Sequence, residues 1–227
     1  MLLLFWNVKY FGPSSDNFAD RVRDIADHIR RSKADIVVLV ELTNRADETV
    51  AAILERMREL DLTYSSKTVN VDGGNNEHFC VMLRAEFGLD AARGLAPIDQ
   101  RIGAGTRKVA HLSVPRLDEV RAFGLYVCHP SPCALTNATA LKNTIELFDA
   151  VGAGRALVVG DFNAKDWNAA GDGGVVPDAA THRSSHGTLR TLDGAIATEM
   201  DVRIDRSQRV TSSGAQSDHS WILFELR

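Results

Sequence analysis

The segment Leu157–Asn163 ends a short apolar run with two polar side chains, Asp161 and Asn163. Ala156–Val159 has the continuous aliphatic character of a strand covered on both faces, and Gly160 lets the backbone turn where the strand ends. On extended backbone, an Asp-x-Asn arrangement places a carboxylate and an amide on the same side, where the amide could orient a water molecule or a substrate oxygen. The same residues could instead form an Asx turn that only closes the strand. Both interpretations stay open for this motif taken alone.

Three other apolar runs also end in a polar side chain. The first ends in Asn7, the second in Glu41 and the third in His129. Open α/β sheets bind their ligands outside the carboxyl ends of the strands. Taken singly, Glu41 could be a solvated residue that opens a loop, and His129 could be structural or merely exposed. Repetition of one pattern at four strand ends favours a shared site.

Three more candidates lie toward the end of the chain. Asp193 lies at the start of an apolar strand pattern, and Asp218 and His219 precede the last one. The Asp-His pair could be only a turn. Beside Asp193, it could also be a carboxylate-oriented imidazole next to a metal-binding carboxylate.

The full set of polar residues indicates phosphate chemistry with a hard cation. Mg²⁺ prefers a few carboxylate oxygens together with water and substrate phosphate, whereas a zinc site would use several His or Cys residues at close spacing. The two histidines are too far apart in the chain for a helical zinc motif. The set comprises Asn7, Glu41, His129, Asp161, Asn163, Asp193, Asp218 and His219.

Alternating helix and strand patterns must position these side chains, and they predict an α/β fold. Apolar residues at helical spacing predict helices over Phe18–Ser32 and Asp47–Leu60, and a third helix that begins near Thr136 and carries Leu141, Ile145, Phe148 and Val151. A turn cluster at 71–76 predicts a hairpin between Leu62–Val69 and Phe79–Leu83. We interpret Asp166–Leu192 as a loop without periodicity that faces the substrate. The other predicted strands are Leu2–Trp6, Asp35–Val40, Arg107–Val114, Val120–Cys128, Leu192–Ala197, Met200–Ile204 and Trp221–Leu226.

Composition limits the classes of function. The chain has 227 residues without a linker or charge block, which predicts one domain over residues 1–227. Its formal net charge of −4 excludes the global basic field of an avid non-specific nucleic-acid binder, so phosphate binding must be local or assisted by a metal. The three cysteines, Cys80, Cys128 and Cys133, are an odd number without metal-ligand spacing and are typical of reduced residues. The apolar N-terminus lacks the basic region of a signal peptide and is too short to span a bilayer, so we expect a cytoplasmic, non-secreted monomer.

In this order, the motifs resemble those of the endonuclease/exonuclease/phosphatase superfamily, the DNase-I-like fold. They are Trp6-Asn7, Leu39-Val-Glu41, Gly160-Asp-Phe-Asn-Ala164 and Ser217-Asp-His219, and together they cover nearly the whole chain. His129 with its following prolines, and Glu77 ahead of the strand Phe79–Arg84, are most similar to the DNase I branch. The resemblance implies a four-layer sandwich of two mixed β-sheets packed face to face and flanked by helices.

The resemblance also implies a metal site and a water site. Glu41 would be the main ligand of Mg²⁺, for which Mn²⁺ or Ca²⁺ could substitute, and Asn7 and Asp218 would complete or support the metal site. Asp161 and Asn163 would bind or activate the nucleophilic water.

Two carboxylate-histidine pairs complete the implied machinery. Asp193 would hold His219, and Glu77 would hold His129. In this interpretation the two histidines and the metal stabilise charge on the phosphoryl oxygens, Asp161 with His219 takes the proton from water, and His129 is the acid for the leaving group.

Departures from the family pattern affect the expected substrate. Relatives that bend DNA carry an arginine and a tyrosine where this chain has Thr43 and Asn75, which argues against a grip on the minor groove. Gly194 replaces a larger residue after Asp193, and we expect it to open the pocket. We expect few insertions that could form a duplex-binding lobe.

The leading hypothesis is a metal-dependent phosphodiesterase, a nuclease of low sequence selectivity that acts on DNA, with nucleic acid as its partner and no membrane insertion. The alternative is a hydrolase of a smaller phosphoester, such as a nucleotide, a lipid headgroup or an inositol phosphate. A binding module that has lost catalysis is the third, and the complete polar set argues against it. Candidate substrate contacts are Asn7, Asn163 and Arg107, with Arg45, Lys108 and Lys165 as further basic residues that could equally be solvated surface.

Overall fold

Two six-stranded mixed sheets dominate the computed structural model, which describes residues 1–71, 77–87, 94–98, 109–116, 119–130, 144, 146–148, 154–164, 166–207 and 217–227. The first sheet has the strand order β13-β14-β1-β2-β4-β3, and the second has the order β5-β6-β7-β8-β12-β9. The strands of the first sheet are β1 (Leu2–Phe11), β2 (Ile36–Leu42), β3 (Tyr64–Asn70), β4 (His78–Arg84), β13 (Val202–Ser207) and β14 (Ile222–Leu226). Those of the second are β5 (Ala96–Ile98), β6 (Val109–Val114), β7 (Phe123–Cys128), β8 (Ala156–Asp161), β9 (Gly174–Val175) and β12 (Asp193–Thr198). A separate hairpin pairs β10 (His182–Arg183) with β11 (Leu189–Arg190).

Each sheet contains one parallel pair of strands at its centre. β1 and β2 run parallel in the first sheet, and β7 and β8 run parallel in the second. The other pairings are antiparallel, including β8 with β12 and β1 with β14. Because these strands carry long aliphatic runs, both faces of the central pairs can be buried.

The layers follow from the alternation of side chains along the strands. On β1, Leu3 and Phe5 face the second sheet and join the core between the sheets, whereas Leu4 and Trp6 face the helices. On β8, Leu157 and Val159 face the same inter-sheet core. Burial of these apolar side chains is the main source of stability for such a sandwich.

Helices cover the outer faces. α1 (Phe18–Ser32) and α2 (Ala46–Arg58) pack their apolar sides on the first sheet, in the cluster that contains Ile25, Ile29 and Ile53. On the outer face of the second sheet, the helical residues at 146–148 contribute Leu147 and Phe148. The four-layer fold expected from the resemblance is thus confirmed, as are the two amphipathic helices and the β3–β4 hairpin.

Three details differ from the sequence prediction. β1 continues beyond Trp6 to Phe11, because irregular pairing lets the strand resume after Asn7. The edge strand β5 was not predicted, since its three residues include a proline. The predicted loop Asp166–Leu192 instead contains the 3₁₀ turn Asn168–Gly173 and the short strands β9, β10 and β11. These strands are too short to produce a periodic pattern.

Most of the third predicted helix, with Thr136, Leu141, Ile145 and Val151, lies outside the described residues. Cys80 and Cys128 are buried free thiols, as expected, and burial raises the pKa of both. Cys133 lies outside the described residues. In the part of the chain that the structure describes, the helices are too short or too polar to cross a bilayer.

Candidate active site

The candidate side chains meet at one end of the sandwich, where the two parallel strand pairs end. Asn7 ends the regular pairing of β1 with β2, and Glu41 lies near the carboxyl end of β2. Asp161 and His129 lie at or just after the carboxyl ends of β8 and β7. Asp193 begins β12 and pairs directly with Asp161 across the sheet. The topology therefore brings residues more than 180 positions apart to one edge.

Strand alternation aims most of these side chains into the gap between the sheets. Asn7 has the same parity as the inward-facing Phe5, and Asp161 has the same parity as the inward-facing Val159. His129 follows the inward-facing Val127 by two residues in the same way.

Glu41 is the exception, because strict alternation after the inward-facing Val40 would point it toward the helices. A bulge corrects its direction: the register of β2 against its neighbours shifts around this residue, and Glu41 adopts a left-handed backbone with φ of 61°. Leu42 then returns to the helix-facing side. A non-glycine residue in this conformation is strained, and such strain is concentrated at functional sites.

Asn7, Glu41 and Asp161 form the centre of the site. The side-chain amide of Asn7 donates hydrogen bonds to Oε1 of Glu41 at 2.8 Å and to Oδ2 of Asp161 at 3.1 Å. All three residues are buried. One amide thus holds two carboxylates toward each other, although their charges repel.

Two histidines approach this centre, each held from behind by a carboxylate. Nδ1 of His129 lies 2.6 Å from Oε1 of Glu77, and Nδ1 of His219 lies 2.8 Å from Oδ2 of Asp193. Their Nε2 atoms lie 3.5 and 3.6 Å from the same oxygen, Oδ2 of Asp161. Both imidazoles therefore present Nε2 to one point.

The electrostatics favour protonated imidazoles. Burial lowers the pKa of His219, but the charges of Asp193 and Asp161 outweigh this effect and raise the pKa to about 10. For His129, burial is likewise outweighed by the hydrogen bond to Glu77 and the charge of Asp161, so its pKa is also raised. Burial raises the pKa of Asp193 against the opposing charge of His219. Positive charge at both rings suits the stabilisation of an anionic group between them.

The Asp161–Asn163 motif is both a turn and part of the site. Oδ1 of Asp161 accepts a hydrogen bond from the backbone N–H of Asn163 at 2.9 Å, which is the Asx turn, while Oδ2 faces the histidines. Asn163 is left-handed, with φ of 51°, so its side chain is not placed by simple alternation. Its amide donates to the backbone oxygen of Pro130 at 2.9 Å and so holds the segment that follows His129.

Asp218 lies beside His219, with Oδ1 of Asp218 3.9 Å from Nε2 of the imidazole. Its other oxygen, Oδ2, lies 2.6 Å from Nζ of Lys9 and 3.7 Å from Nε2 of His182. Burial opposes ionisation of Asp218, but the interactions with His182 and Lys9 outweigh it and hold the pKa of the carboxyl group well below its ordinary value. Asp218 is therefore a stable anion.

Lys9, Thr181 and His182 are not among the candidates that the sequence motifs provide. Thr181 accepts hydrogen bonds from the backbone N–H groups of Leu192 at 3.0 Å and Asp193 at 3.1 Å, and so fixes the start of β12. His182, in β10, packs its ring against that of His219 with centroids 4.6 Å apart. The sequence contains little indication of a role for Thr181 and His182, because they are only a threonine followed by a histidine in a segment without periodicity.

The donor set fits a hard divalent cation. Ligand atoms of Glu41, His129 and Asp161 lie within 4.8 Å of one another, as do those of Asp161, Asp193 and His219. Among the described residues, no lysine or arginine forms an ion pair with Glu41 or Asp161, so the cationic groups beside these two buried carboxylates are the imidazoles. Carboxylate and amide oxygens are the ligands that Mg²⁺ and Mn²⁺ accept.

The expectation that Gly194 opens the pocket is wrong. Asp193 faces the gap between the sheets, so Gly194 faces the opposite, outer side of β12. There a Cβ atom would come within 2.7 Å of both Trp167 and Val176, whose side chains fill the space. The glycine accommodates packing on the outer face and does not enlarge the site.

Of the four basic residues that were candidates for substrate contact, the structure describes only Arg45. Arg107, Lys108, Lys165 and Asn75 lie outside the described residues. Arg45 is exposed and forms an ion pair with Glu48 on α2, which is typical of solvated surface.

Comparison with known proteins supports the same family as the motifs. Residues 4–219 match the family model described as Endonuclease/Exonuclease/phosphatase family. Comparison with curated protein sequences found no significant match.

Solved structures share the fold at low sequence identity. A family protein from Leptotrichia buccalis is 16% identical with a TM-score of 0.73, and the match covers 100% of this chain and 99% of that one. A mannosyl-6-phosphatase from Bacteroides thetaiotaomicron is 15% identical with a TM-score of 0.65, covering 100% and 99% of the two chains. A humanized D. rerio TDP2 is 15% identical with a TM-score of 0.63, covering 99% and 98%.

The family model spans the segment from the first strand to His219 and so includes every strand end that carries a candidate side chain. With the sandwich and the convergent site, this match shows that the chain belongs to the endonuclease/exonuclease/phosphatase family.

Proposed function

We propose that this protein is a divalent-metal-dependent phosphodiesterase that acts as a nuclease of low sequence selectivity. The observation that carries the proposal is the placement of two carboxylate-held imidazoles, His129 and His219, at 3.5 and 3.6 Å from one oxygen of Asp161. Two cationic donors that face one carboxylate suit a reaction in which an anionic phosphoryl group and an attacking water must be held together.

The metal would be held by Glu41, with Asn7 and Asp218 completing or supporting its site. A bound Mg²⁺ would neutralise developing charge on the phosphoryl oxygens and orient the substrate. Asn7 contributes from the protein side, because its amide fixes the directions of the Glu41 and Asp161 carboxylates. Mn²⁺ or Ca²⁺ could substitute for Mg²⁺ at such oxygen ligands.

The proton transfers are assigned to three side chains. Asp161, with Asn163 beside it, holds the attacking water, and its oxygen Oδ2, which faces both imidazoles, takes the proton while His219 stabilises the resulting charge. His129, whose orientation is fixed by Glu77, supplies a proton to the leaving oxygen.

The position of Thr43 supports the proposal that this nuclease does not grip the minor groove of DNA. Thr43 stands where DNA-bending relatives have an arginine, and its side chain packs over Gly12, where a Cβ would lie 1.8 Å from Oγ1 of Thr43. A short side chain turned toward the loop cannot reach into a groove. Arg107, outside the described residues, stays a proposed substrate contact together with Asn7 and Asn163.

The second candidate function is hydrolysis of a smaller phosphoester at the same site. Two observations favour it: the net charge of −4 offers little attraction for a long polyanion, and the fold is shared with a mannosyl-6-phosphatase. A binding module without catalysis is disfavoured, because the described site keeps both histidine pairs and the three central polar residues.

Single-stranded or distorted DNA should be cut at least as fast as relaxed duplex, and added salt should inhibit cleavage strongly. The physical reason is that such strands reach the edge of the sandwich without being bent, while phosphate contacts weaken as counterions compete. Initial rates on matched single- and double-stranded oligonucleotides, titrated with NaCl, measure both effects.

A clear duplex preference with sequence-dependent nicking would contradict this substrate assignment. Absence of cleavage of either oligonucleotide, together with turnover of a small phosphoester, would favour the second candidate function. Glu41→Gln, purified in the same way and assayed at each salt concentration, is the control for host nuclease.

Asp193→Asn should reduce turnover less than His219→Ala. The amide still accepts a hydrogen bond from Nδ1 of His219 through its oxygen, so the imidazole stays in place with weaker orientation and less positive charge. Steady-state turnover of both variants on the same substrate measures the difference. A larger loss in Asp193→Asn than in His219→Ala would show that Asp193 has a direct role.

A further inference from the structure

Lys9 is an unassigned cation that contacts the candidate site. Its Nζ lies 2.6 Å from Oδ2 of Asp218, one of the carboxylates proposed to support the metal. In the described part of the chain, Lys9 is the one lysine or arginine that forms an ion pair with Glu41, Asp161, Asp193 or Asp218.

The backbone of β1 is shaped to present Lys9 to Asp218. Regular pairing with β2 stops at Asn7 and resumes at Phe11, and Lys9 and Tyr10 between them have left-handed φ values of 47° and 45°. The N–H of Lys9 donates to Oδ1 of Asn7 at 2.9 Å, which ties this turn to the centre of the site. Two successive strained residues held in this way indicate a built arrangement.

Asp218 is reached from the opposite side by the last loop. Oγ of Ser217 donates to the backbone oxygen of Asn7 at 2.8 Å, so the segment that carries Asp218 is fixed against the same strand as Lys9. Oδ1 of Asp218 is buried and has no hydrogen-bond partner among the described residues, whereas Oδ2 is bound by Lys9. The carboxylate thus has one oxygen available inside the site and one engaged by an ammonium group.

Lys9 can leave this position at little cost. Its side chain is 52% exposed, and exposed ion pairs are weak because water screens them. A divalent cation at Asp218 would repel an ammonium group bound to the same carboxylate, so both would not be favoured there together. The released ammonium would remain tethered beside the site, where the nearest new anion is a substrate phosphate.

We propose that Lys9 exchanges partners: it neutralises Asp218 in the free protein, gives up this carboxylate when a divalent cation binds, and then binds a phosphate oxygen. This inference rests on the proposed metal site and assigns to Lys9 a phosphate-binding role in it. Lys9 would thereby couple cation binding to phosphate binding.

The test is direct binding with the Lys9→Met variant, which keeps the length of the side chain but removes its charge. Mn²⁺ binding is followed by electron paramagnetic resonance of the free ion, and binding of inorganic phosphate to the Mn²⁺-saturated protein by calorimetry. Lys9→Met should bind Mn²⁺ about two- to fivefold more tightly, because no competing cation must be displaced. It should bind phosphate about tenfold more weakly, because a charge-assisted hydrogen bond is lost.

Two controls separate a local effect from general loss of charge. Lys9→Arg should retain wild-type phosphate affinity. Arg23→Met, which removes an exposed cation paired with Asp20 on α1, should change neither measurement. Equal Mn²⁺ affinity or equal phosphate affinity of Lys9→Met and the wild type would overturn the exchange while leaving the proposed function intact. A wild-type protein that binds no Mn²⁺ would overturn both.

Discussion

Replacing Glu41 by alanine or glutamine should reduce phosphodiester hydrolysis by about three orders of magnitude or more. The bulge in β2 turns the carboxylate of Glu41 toward the gap between the sheets. There it accepts a hydrogen bond of 2.8 Å from the side-chain amide of Asn7, which also donates to Asp161. Loss of its charge would remove the principal ligand of the divalent cation. Turnover at saturating Mg²⁺, measured beside Mn²⁺ affinity, would show whether both fall together.

The glutamine variant is the sharper of the two, because its oxygen can still accept the hydrogen bond from Asn7 and its size is unchanged. Glu48→Gln, on the exposed side of α2, is a matched control that should retain full activity. Full activity of Glu41→Gln after removal of host nuclease, or wild-type activity in excess chelator, would contradict the metal assignment.

His219→Ala and Asp161→Asn should each reduce turnover by several orders of magnitude, and the double variant should be little worse than either single one. The reason is geometric: Nε2 of His219 lies 3.6 Å from Oδ2 of Asp161, and in the proposed mechanism the two groups act on the same reacting oxygen. Residues that act as one unit lose most of their shared contribution when the first is removed.

A double-mutant cycle on turnover measures this coupling, and circular dichroism would show that the variants keep the sandwich. Asp161→Asn preserves shape but removes the charge next to both imidazoles. Additive losses from the two substitutions would mean that His219 and Asp161 act in separate steps, which would contradict the shared proton-transfer role.

The residue types at the strand ends were predictable, because a buried strand that ends in a carboxylate or an amide leaves a clear pattern in sequence. Asp161 follows an aliphatic run that ends in a glycine, and His129 follows a buried run of aliphatic and aromatic residues that ends in a cysteine. Phe18–Ser32 was predicted with the observed bounds for a similar reason, since its apolar residues recur at strict helical spacing.

Backbone irregularities could not be predicted. Alternation alone would place Glu41 on the helix side, and only the bulge with left-handed φ turns it inward. Gly194 shows the reverse error, since it was assigned to the pocket although its strand position faces the outer layer and Trp167. Face assignments near strand ends need the register, which depends on pairing with distant strands.

Lys9 and His182 were missed because single polar residues in irregular segments resemble solvated surface. Their significance comes from Asp218, which lies more than 200 positions from Lys9 and contacts both side chains. Such contacts depend on how β1, the hairpin β10–β11 and the last loop meet, and no local spacing encodes this meeting.

Metal-dependent hydrolysis of phosphodiesters by this set of residues can be tested in a single assay. Purified wild-type protein and Glu41→Gln are incubated with plasmid, single-stranded DNA, RNA and a bis-aryl phosphodiester, each with Mg²⁺, with Mn²⁺ or with chelator. We predict that the wild type hydrolyses a nucleic acid with either metal and loses this activity in chelator, and that Glu41→Gln reaches the wild-type rate with neither metal. Equal hydrolysis in chelator and in Mg²⁺, or no hydrolysis of any phosphodiester by the wild type with either metal, would contradict the account.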